Sequence, residues 1–186
     1  KPSSTAVWTA KAGWAKTVDF PTMNHDYTVS AALPTDLEAI LEILRLRQQW
    51  LSERHIVQWE GYENFFPRSY FEGKLAEGKL LVARDTSGTV CGLIALADQD
   101  PYWVGKERPG ALYLHNLASA PGARGAGAAL LDYCQQWAQE HGYQVLRLDC
   151  RADNQALNEY YSARGFRPVG FCTDRTHRGA LREKEL

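Results

Sequence analysis

No run among the 186 residues stays apolar for the roughly 20 positions that a helix needs to cross a bilayer. A membrane-spanning reading is thereby removed. Charge of one sign is missing too, since 21 Lys and Arg face 22 Asp and Glu for a formal net charge of -1. Binding to phosphate backbones or anionic membranes draws on clustered Lys and Arg, so the balance points to a small-molecule or peptide partner and away from nucleic acid and membrane. The four cysteines, Cys91, Cys134, Cys150 and Cys172, form no C-x-x-C pair, so neither a zinc nor a dithiol signature is present and no metal is expected. With no secretory signal visible, they read as reduced core thiols of a cytoplasmic protein rather than as a disulfide framework. Low-complexity tracts and internal repeats are lacking, and 45% apolar with 23% charged residues is the balance of a chain that folds by itself.

What is present fits one domain with a full core, and not comfortably two. Residues 1–22 stand apart. They mix Ser, Thr, Ala and three Lys with Trp8 and Trp14, show no period, and lack the roughly 7–15-residue apolar core of a signal peptide. The single methionine, Met23, stands just before the first convincing strand. Two readings are open for residues 1–22, an added leader before a start at Met23 or an N-terminal extension that packs its tryptophans on the domain. The domain itself takes residues 23–186.

From residue 27 the pattern is regular. Residues 27–32 read as a strand, and Thr35 and Glu38 stand three apart as a capping box opening a helix. Leu37, Ile40, Leu41, Leu44 and Leu51 give that helix an apolar face. Residues 62–77 read as a second helix that Pro67 interrupts. Strands over 80–84 and 90–97 flank the turn formers Asp85-Thr86-Ser87-Gly88 as an antiparallel hairpin. A polar connection, 98–110, precedes a strand at 111–118. A glycine-containing loop, 121–127, then leads into a helix with Leu130, Leu131, Cys134, Trp137, Ala138 and His141 on one face, closed by Gly142. A strand at 145–149, a helix at 155–163 and strands at 166–173 and 180–186 complete an α/β or α+β mixed sheet.

The strand, loop and helix around Gly125-Ala126-Gly127 carry the chemistry. Glycine lets backbone N–H groups approach a ligand closely, and the helix N-terminus adds the positive end of its dipole, an arrangement suited to pyrophosphate. Tight packing of small residues is the plain alternative. A P-loop is excluded, because no Lys-Ser or Lys-Thr follows these glycines. The dinucleotide fingerprint has an acid in place, Asp149 at the end of the next strand, but Leu130 fills the third glycine position and the remaining chain is too short for a second βαβαβ half.

Residues 121–142 followed by Asn154-Gln155-Ala156-Leu157-Asn158-Glu159-Tyr160-Tyr161-Ser162-Ala163-Arg164-Gly165-Phe166 resemble the GNAT superfamily of N-acetyltransferases. There a Q/R-x-x-G-x-G/A loop precedes a helix, a strand and N-x-x-A-x-x-x-Y ending in G-F. Asn154, Tyr161, Gly165 and Phe166 fall at that spacing, with Leu157 in the usual Ala place, and Leu114-His115-Asn116-Leu117-Ala118 looks like the family's fourth strand. The loop departs from the pattern. Read from the strand, Arg124, Gly127 and Ala129 fill the motif letters, whereas read back from the helix Gly122, Gly125 and Gly127 do. Both registers place 124–127 beside the pyrophosphate.

The resemblance implies a single domain with a mostly antiparallel central sheet flanked by helices, in which an amine attacks the thioester of acetyl-CoA without a metal. It assigns acetyl-CoA to Leu117, Ala118, Arg124, Gly125, Ala126, Gly127, Asn154 and Tyr161, with an oxyanion donor near Leu117. Tyr161 is the expected proton donor to the thiolate, a phenol of pKa about 10 supplying a thiol of about 8.5. Asn154 has a second reading as a helix cap. His115, which shares a strand face with Tyr113, is the candidate base, with Glu60, Glu63, Asp98 and Asp100 the other candidates. Trp59, Glu60, Tyr62, Asp98 and Tyr113 are candidates for the acceptor side, where Glu63, Asp100 and Trp103 also lie and acids among aromatics suit a cationic amine. Ordinary surface and packing roles remain the alternative for each. A non-catalytic acyl-CoA-binding regulatory module would keep the loop and Asn154 without needing Tyr161. Monomer and homodimer are both open.

Overall fold

The computed structural model of the chain describes residues 26–173 and 178–186. The readings made for residues 1–22 and for a start at Met23 lie outside them. The described residues form seven strands and five α-helices in the order β1 (Thr28–Ala31), α1 (Leu37–Glu53), α2 (Tyr62–Phe65), α3 (Arg68–Ala76), β2 (Leu80–Arg84), β3 (Val90–Ala97), β4 (Ala111–Ser119), α4 (Ala126–Glu140), β5 (Val145–Arg151), α5 (Gln155–Ala163), β6 (Arg167–Thr173) and β7 (Arg178–Glu185). The strands make one sheet of order β1-β2-β3-β4-β5-β7-β6. Every neighbouring pair is antiparallel except β4 with β5. This is the mixed, mostly antiparallel sheet expected.

Central strands covered on both faces read as continuous apolar runs rather than alternating ones. Accordingly β3 is buried from Cys91 to Leu96. One face of the sheet packs on α4 and α5 through Leu81, Ile94, Leu112, Leu130, Leu146, Leu148, Tyr161 and Phe166. On the other face, Leu37, Ile40 and Leu44 of α1, Tyr62 of α2 and Phe71 of α3 meet Leu80, Val82 and Leu93. The four cysteines are unpaired, and burial pushes the thiols of Cys150 and Cys172 up to about 11. No helix among the described residues is long and apolar enough to cross a membrane.

Three local expectations are corrected. The box of Thr35 and Glu38 does not form: a 3-10 turn at Pro34–Asp36 precedes α1, Asp36 Oδ2 accepts from Leu33 N–H at 2.7 Å and from Arg84 at 2.6 Å, and Glu38 pairs instead with Arg68. Pro67 does more than interrupt one helix. Lacking an N–H and extended at ψ 166°, it separates α2 from α3. The helix after the glycine loop begins at Ala126, so Gly127 lies in its first turn and the left-handed entry residue is Gly125, at φ +94°. At the far end Gly142, at φ +77°, closes α4: its N–H donates to Gln139 O and that of Tyr143 to Ala138 O, the paired bonds of a Schellman cap.

Candidate active site

Strands β4 and β5 pair in parallel over only Ala111–Tyr113 against Val145–Arg147. Beyond that they part. β5 continues on β7 to Arg151, while β4 continues on β3 to Ser119. The backbone of β4 from 114 to 119 therefore borders an opening in the sheet, and Arg47 of α1 holds its far end by donating to Ser119 O at 2.9 and 2.5 Å.

Within this stretch the register with β3 slips by one, Leu93 facing Ala118 but Ala95 facing His115. Asn116 sits in the bulge at φ +55°. Asparagine, with glycine, is the residue that tolerates this conformation. The side chain is held at both ends: its amide donates to the Tyr62 hydroxyl at 2.8 Å, and the Tyr70 hydroxyl donates to its Oδ1 at 2.9 Å. Burial raises both phenols, Tyr70 to about 12, so they stay protonated. Asn116→Val combines a β-branched residue at positive φ with loss of two hydrogen bonds and should cost about 1–3 kcal/mol or more. Asn116→Gly, which keeps the backbone state, should cost less. Urea unfolding of the two variants checks this, and equal losses would remove the argument that backbone strain fixes the bulge.

On the α4 side, the chain turns at Gly122 (φ +91°) and Gly125, and no side chain caps the N-terminus of α4. First-turn N–H groups lack intrahelical partners in any α-helix, and together with the dipole they form an anion-binding end. A Cβ added at Gly127 would meet only the Tyr160 hydroxyl, at 3.6 Å, so the backbone here is open to close approach. Arg124 is exposed, and its carbonyl accepts from the Tyr27 hydroxyl at 3.0 Å.

Helix α5 brings Tyr161 to the same face. Asn154 caps the helix, accepting from Leu157 N–H at 3.0 Å, and its amide donates to Gln58 at 3.1 Å. Buried Arg182 of β7 ties the helix down through Asn158 at 2.9 Å, the Phe166 carbonyl at 2.8 Å and the Ser162 hydroxyl. Tyr161 is 6% exposed, edge-on to Tyr160 and Phe166. Burial first, with Cys150, Tyr160 and Asp149 adding to it, drives its phenol well above the ordinary value. It is a protonated group at neutral pH.

The opposite face holds the candidates for acceptor binding, and the structure separates them. Trp59 and Tyr62 pack ring to ring at 5.1 Å, with Trp59 at φ +63° and its carbonyl taking Gln48 Nε2–H at 2.9 Å. Glu60 is exposed on the rim of an open depression with Arg45, Gln48 and Gln58. Asp98 is engaged elsewhere, by the Tyr143 hydroxyl at 2.8 Å and Lys79 Nζ at 3.1 Å. Tyr113 is 4% exposed and accepts from Arg147 at 3.2 Å.

Sequence reasoning passed over what holds the connection at 98–110. Buried Arg147 pairs with buried Glu183 at 2.8 Å, donates to Lys106 O at 2.7 Å and lies 4.3 Å above the Trp103 ring. Arg108 adds bonds to Glu183 and Glu185. The 3-10 turn at Pro101–Trp103 is thereby fixed, and Asp100 caps it through Oδ1, which accepts from Tyr102 N–H at 2.8 Å. Oδ2 of Asp100 stands 3.6 Å from Nε2 of His115. His115 titrates below the ordinary imidazole range because burial disfavours its cation and Lys74 pushes the same way, against the opposing pull of Asp100. Asp-Pro before a short turn, and a lone Asn in an apolar strand, are the signals by which Asp100 and Asn116 are legible.

Comparison with known proteins gives a consistent assignment. Residues 40–166 match the acetyltransferase (GNAT) family. A Bacillus subtilis protein named as the uncharacterized N-acetyltransferase YesJ is 26% identical over 175 residues, covering 91% of this chain and 96% of that one. Among solved structures, a GNAT family acetyltransferase from Listeria monocytogenes superposes with TM-score 0.70 at 22% identity, over 86% of this chain and 95% of the other. The PaiA N-acetyltransferase of Thermoplasma acidophilum, solved with coenzyme A, does so with TM-score 0.67 at 18% identity, over 86% and 99%. At these identities the solved structures speak for the fold.

Proposed function

The chain belongs to the acetyltransferase (GNAT) family and is an acyltransferase enzyme, and from that premise we propose that it transfers the acetyl group of acetyl-CoA to a primary amine of a small molecule or peptide. The observation that carries this reading is the parting of β4 from β5 next to the uncapped N-terminus of α4. Under this reading the helix end, the strand backbone and the protonated tyrosine serve one thioester. That the Thermoplasma relative was solved with coenzyme A supports the choice of donor.

In the proposed mechanism the segment 124–127 holds the pyrophosphate through the amides of Gly125 and Gly127, those of Arg124 and Ala126 donating to Gly122 O and Ala123 O within the loop, and backbone N–H near Leu117, set by the Asn116 bulge, takes the negative charge that develops on the thioester oxygen. His115 removes one proton from the acceptor ammonium, and the freed electron pair forms the C–N bond. As the C–S bond breaks, Tyr161 gives its proton to the departing thiolate. The nitrogen's excess proton passes to solvent and the phenol is reprotonated, so one proton is released per turnover.

Acetyl-CoA should raise the melting temperature by about 5–10 °C at roughly 100 times its Kd, since binding of the native state alone then adds about 2.7 kcal/mol. Differential scanning fluorimetry checks this, and stabilisation by NADH in place of CoA would overturn the assignment. The pH profile of kcat/KM should rise through a pKa below the ordinary imidazole value of about 6.5, because His115 acts as neutral base and burial and Lys74 hold its cation disfavoured despite Asp100. Loss of this limb in His115→Gln is expected. Its survival would exclude His115 as the base.

A further inference from the structure

Neither the proposed proton transfers nor the loop amides use Arg47, a half-buried cation at the end of the opening. Just past β4 the Ala120 N–H donates to Cys91 O, and Ala118 faces Leu93 of β3. Backbone polar groups alternate in direction along a strand, so those of Leu117 and Ser119 point away from β3, into the space that β5 leaves. Arg47 reaches this edge from α1. Its Nε and Nη2 donate to Ser119 O at 2.9 and 2.5 Å, and Nη2 also donates to Ser119 Oγ at 3.0 Å and Ala120 O at 3.3 Å. Ala123 N–H donates to the same Ala120 O. The guanidinium and the glycine loop share an anchor.

These partners are neutral, as is the Trp50 ring at 5.0 Å. Burial, and Arg54 after it, disfavour the charge on Arg47 and hold its pKa below the ordinary guanidinium value, with no carboxylate among the described residues to offset them. A guanidinium carries five N–H donors in one plane, and the two on Nη1 take no part in the bonds to Ser119 and Ala120. The neighbouring chain is short of positive charge, since from 119 to 130 the only basic side chain is the exposed Arg124. We propose that Arg47 binds the diphosphate of acetyl-CoA through Nη1, supplying from α1 a positive charge that the loop lacks. A cation already fixed by Nε and Nη2 loses little further freedom on binding, and its bond to phosphate is charge-assisted.

This inference rests on the acetyl-CoA reading for the identity of the ligand, yet binding can be read without turnover. The 15N-labelled chain and its Arg47→Gln variant, whose amide keeps a donor for Ser119 O, are titrated separately with acetyl-CoA, acetyl-dephospho-CoA, S-acetylpantetheine and inorganic pyrophosphate. Backbone amide shifts give each Kd. The substitution should weaken acetyl-CoA, acetyl-dephospho-CoA and pyrophosphate about 10- to 100-fold, the range of one charge-assisted hydrogen bond. S-acetylpantetheine, which has no diphosphate, should bind both proteins alike. An equal loss for S-acetylpantetheine would reduce Arg47 to a clamp on β4, and a loss for acetyl-CoA without one for acetyl-dephospho-CoA would move the contact to the 3′-phosphate. Either result, or an unchanged Kd for acetyl-CoA, would overturn the proposal. A chain that binds pyrophosphate through Arg47 and ignores acetyl-CoA loses the transferase reading and keeps the anion contact. One that binds neither loses both.

Discussion

Tyr161→Phe should lower the rate constant for acetyl transfer about 10²–10⁴-fold and leave acetyl-CoA affinity nearly unchanged. The substitution removes one hydroxyl and keeps the ring, which packs against Tyr160 and Phe166 at 6% exposure. Burial keeps the phenol protonated, as a donor to a thiolate requires. The effect belongs to chemistry, so it is read in single turnover, where slow product release does not mask it. An unchanged single-turnover rate constant would reduce Tyr161 to a packing residue.

Arg147→Ala should cost about 1.5–3 kcal/mol, because it takes a charge-assisted hydrogen bond from the Glu183 carboxylate, buried at 4% exposure, and leaves it only Arg108 and the exposed Arg167. It also frees the Lys106 carbonyl and uncovers the Trp103 ring. The loss has a functional side. Residues 98–110 carry Asp100, so releasing them should disturb His115 although Arg147 lies outside the proposed site. Replacing both members, Arg147→Met with Glu183→Leu, should restore much of the stability, since no buried charge then remains unpaired. Urea unfolding of the single and double variants gives both numbers. A loss below about 1 kcal/mol in the single variant would show that the pair is a minor contributor.

The order of elements is legible in the sequence because its signals are local. Residues 80–83 and 90–97 are unbroken apolar runs around a turn whose Asp85 takes N–H from Ser87 and Thr89, and 155–163 is a helix whose cap, Asn154, is visible in the chain. The loop at 121–127 is readable for the same reason, although the helix reaches two residues further into it than its glycines suggest. What escapes is set by partners distant in sequence. Asp36 prefers Arg84, across 48 residues, to the local box. Asp98, read as facing the acceptor, is taken by Tyr143 from the end of α4. Asn116 acquires its meaning only when Tyr62 and Tyr70 arrive from helices 54 and 46 residues away. The parting of β4 from β5 is likewise a property of three strands together: β7 claims the length of β5 that β4 abandons.

The central claim is that this opening performs acetyl transfer rather than only holding an acyl-CoA. Its most direct test is to incubate the protein with acetyl-CoA carrying an isotopic label in the acetyl group and a panel of primary amines, following free CoA thiol and labelled amide in the same samples. The account predicts that thiol and amide appear in equal amounts with at least one amine, and that both slow together in Tyr161→Phe. Tight binding of acetyl-CoA with no labelled amide from any amine, or thiol release without amide, would contradict it.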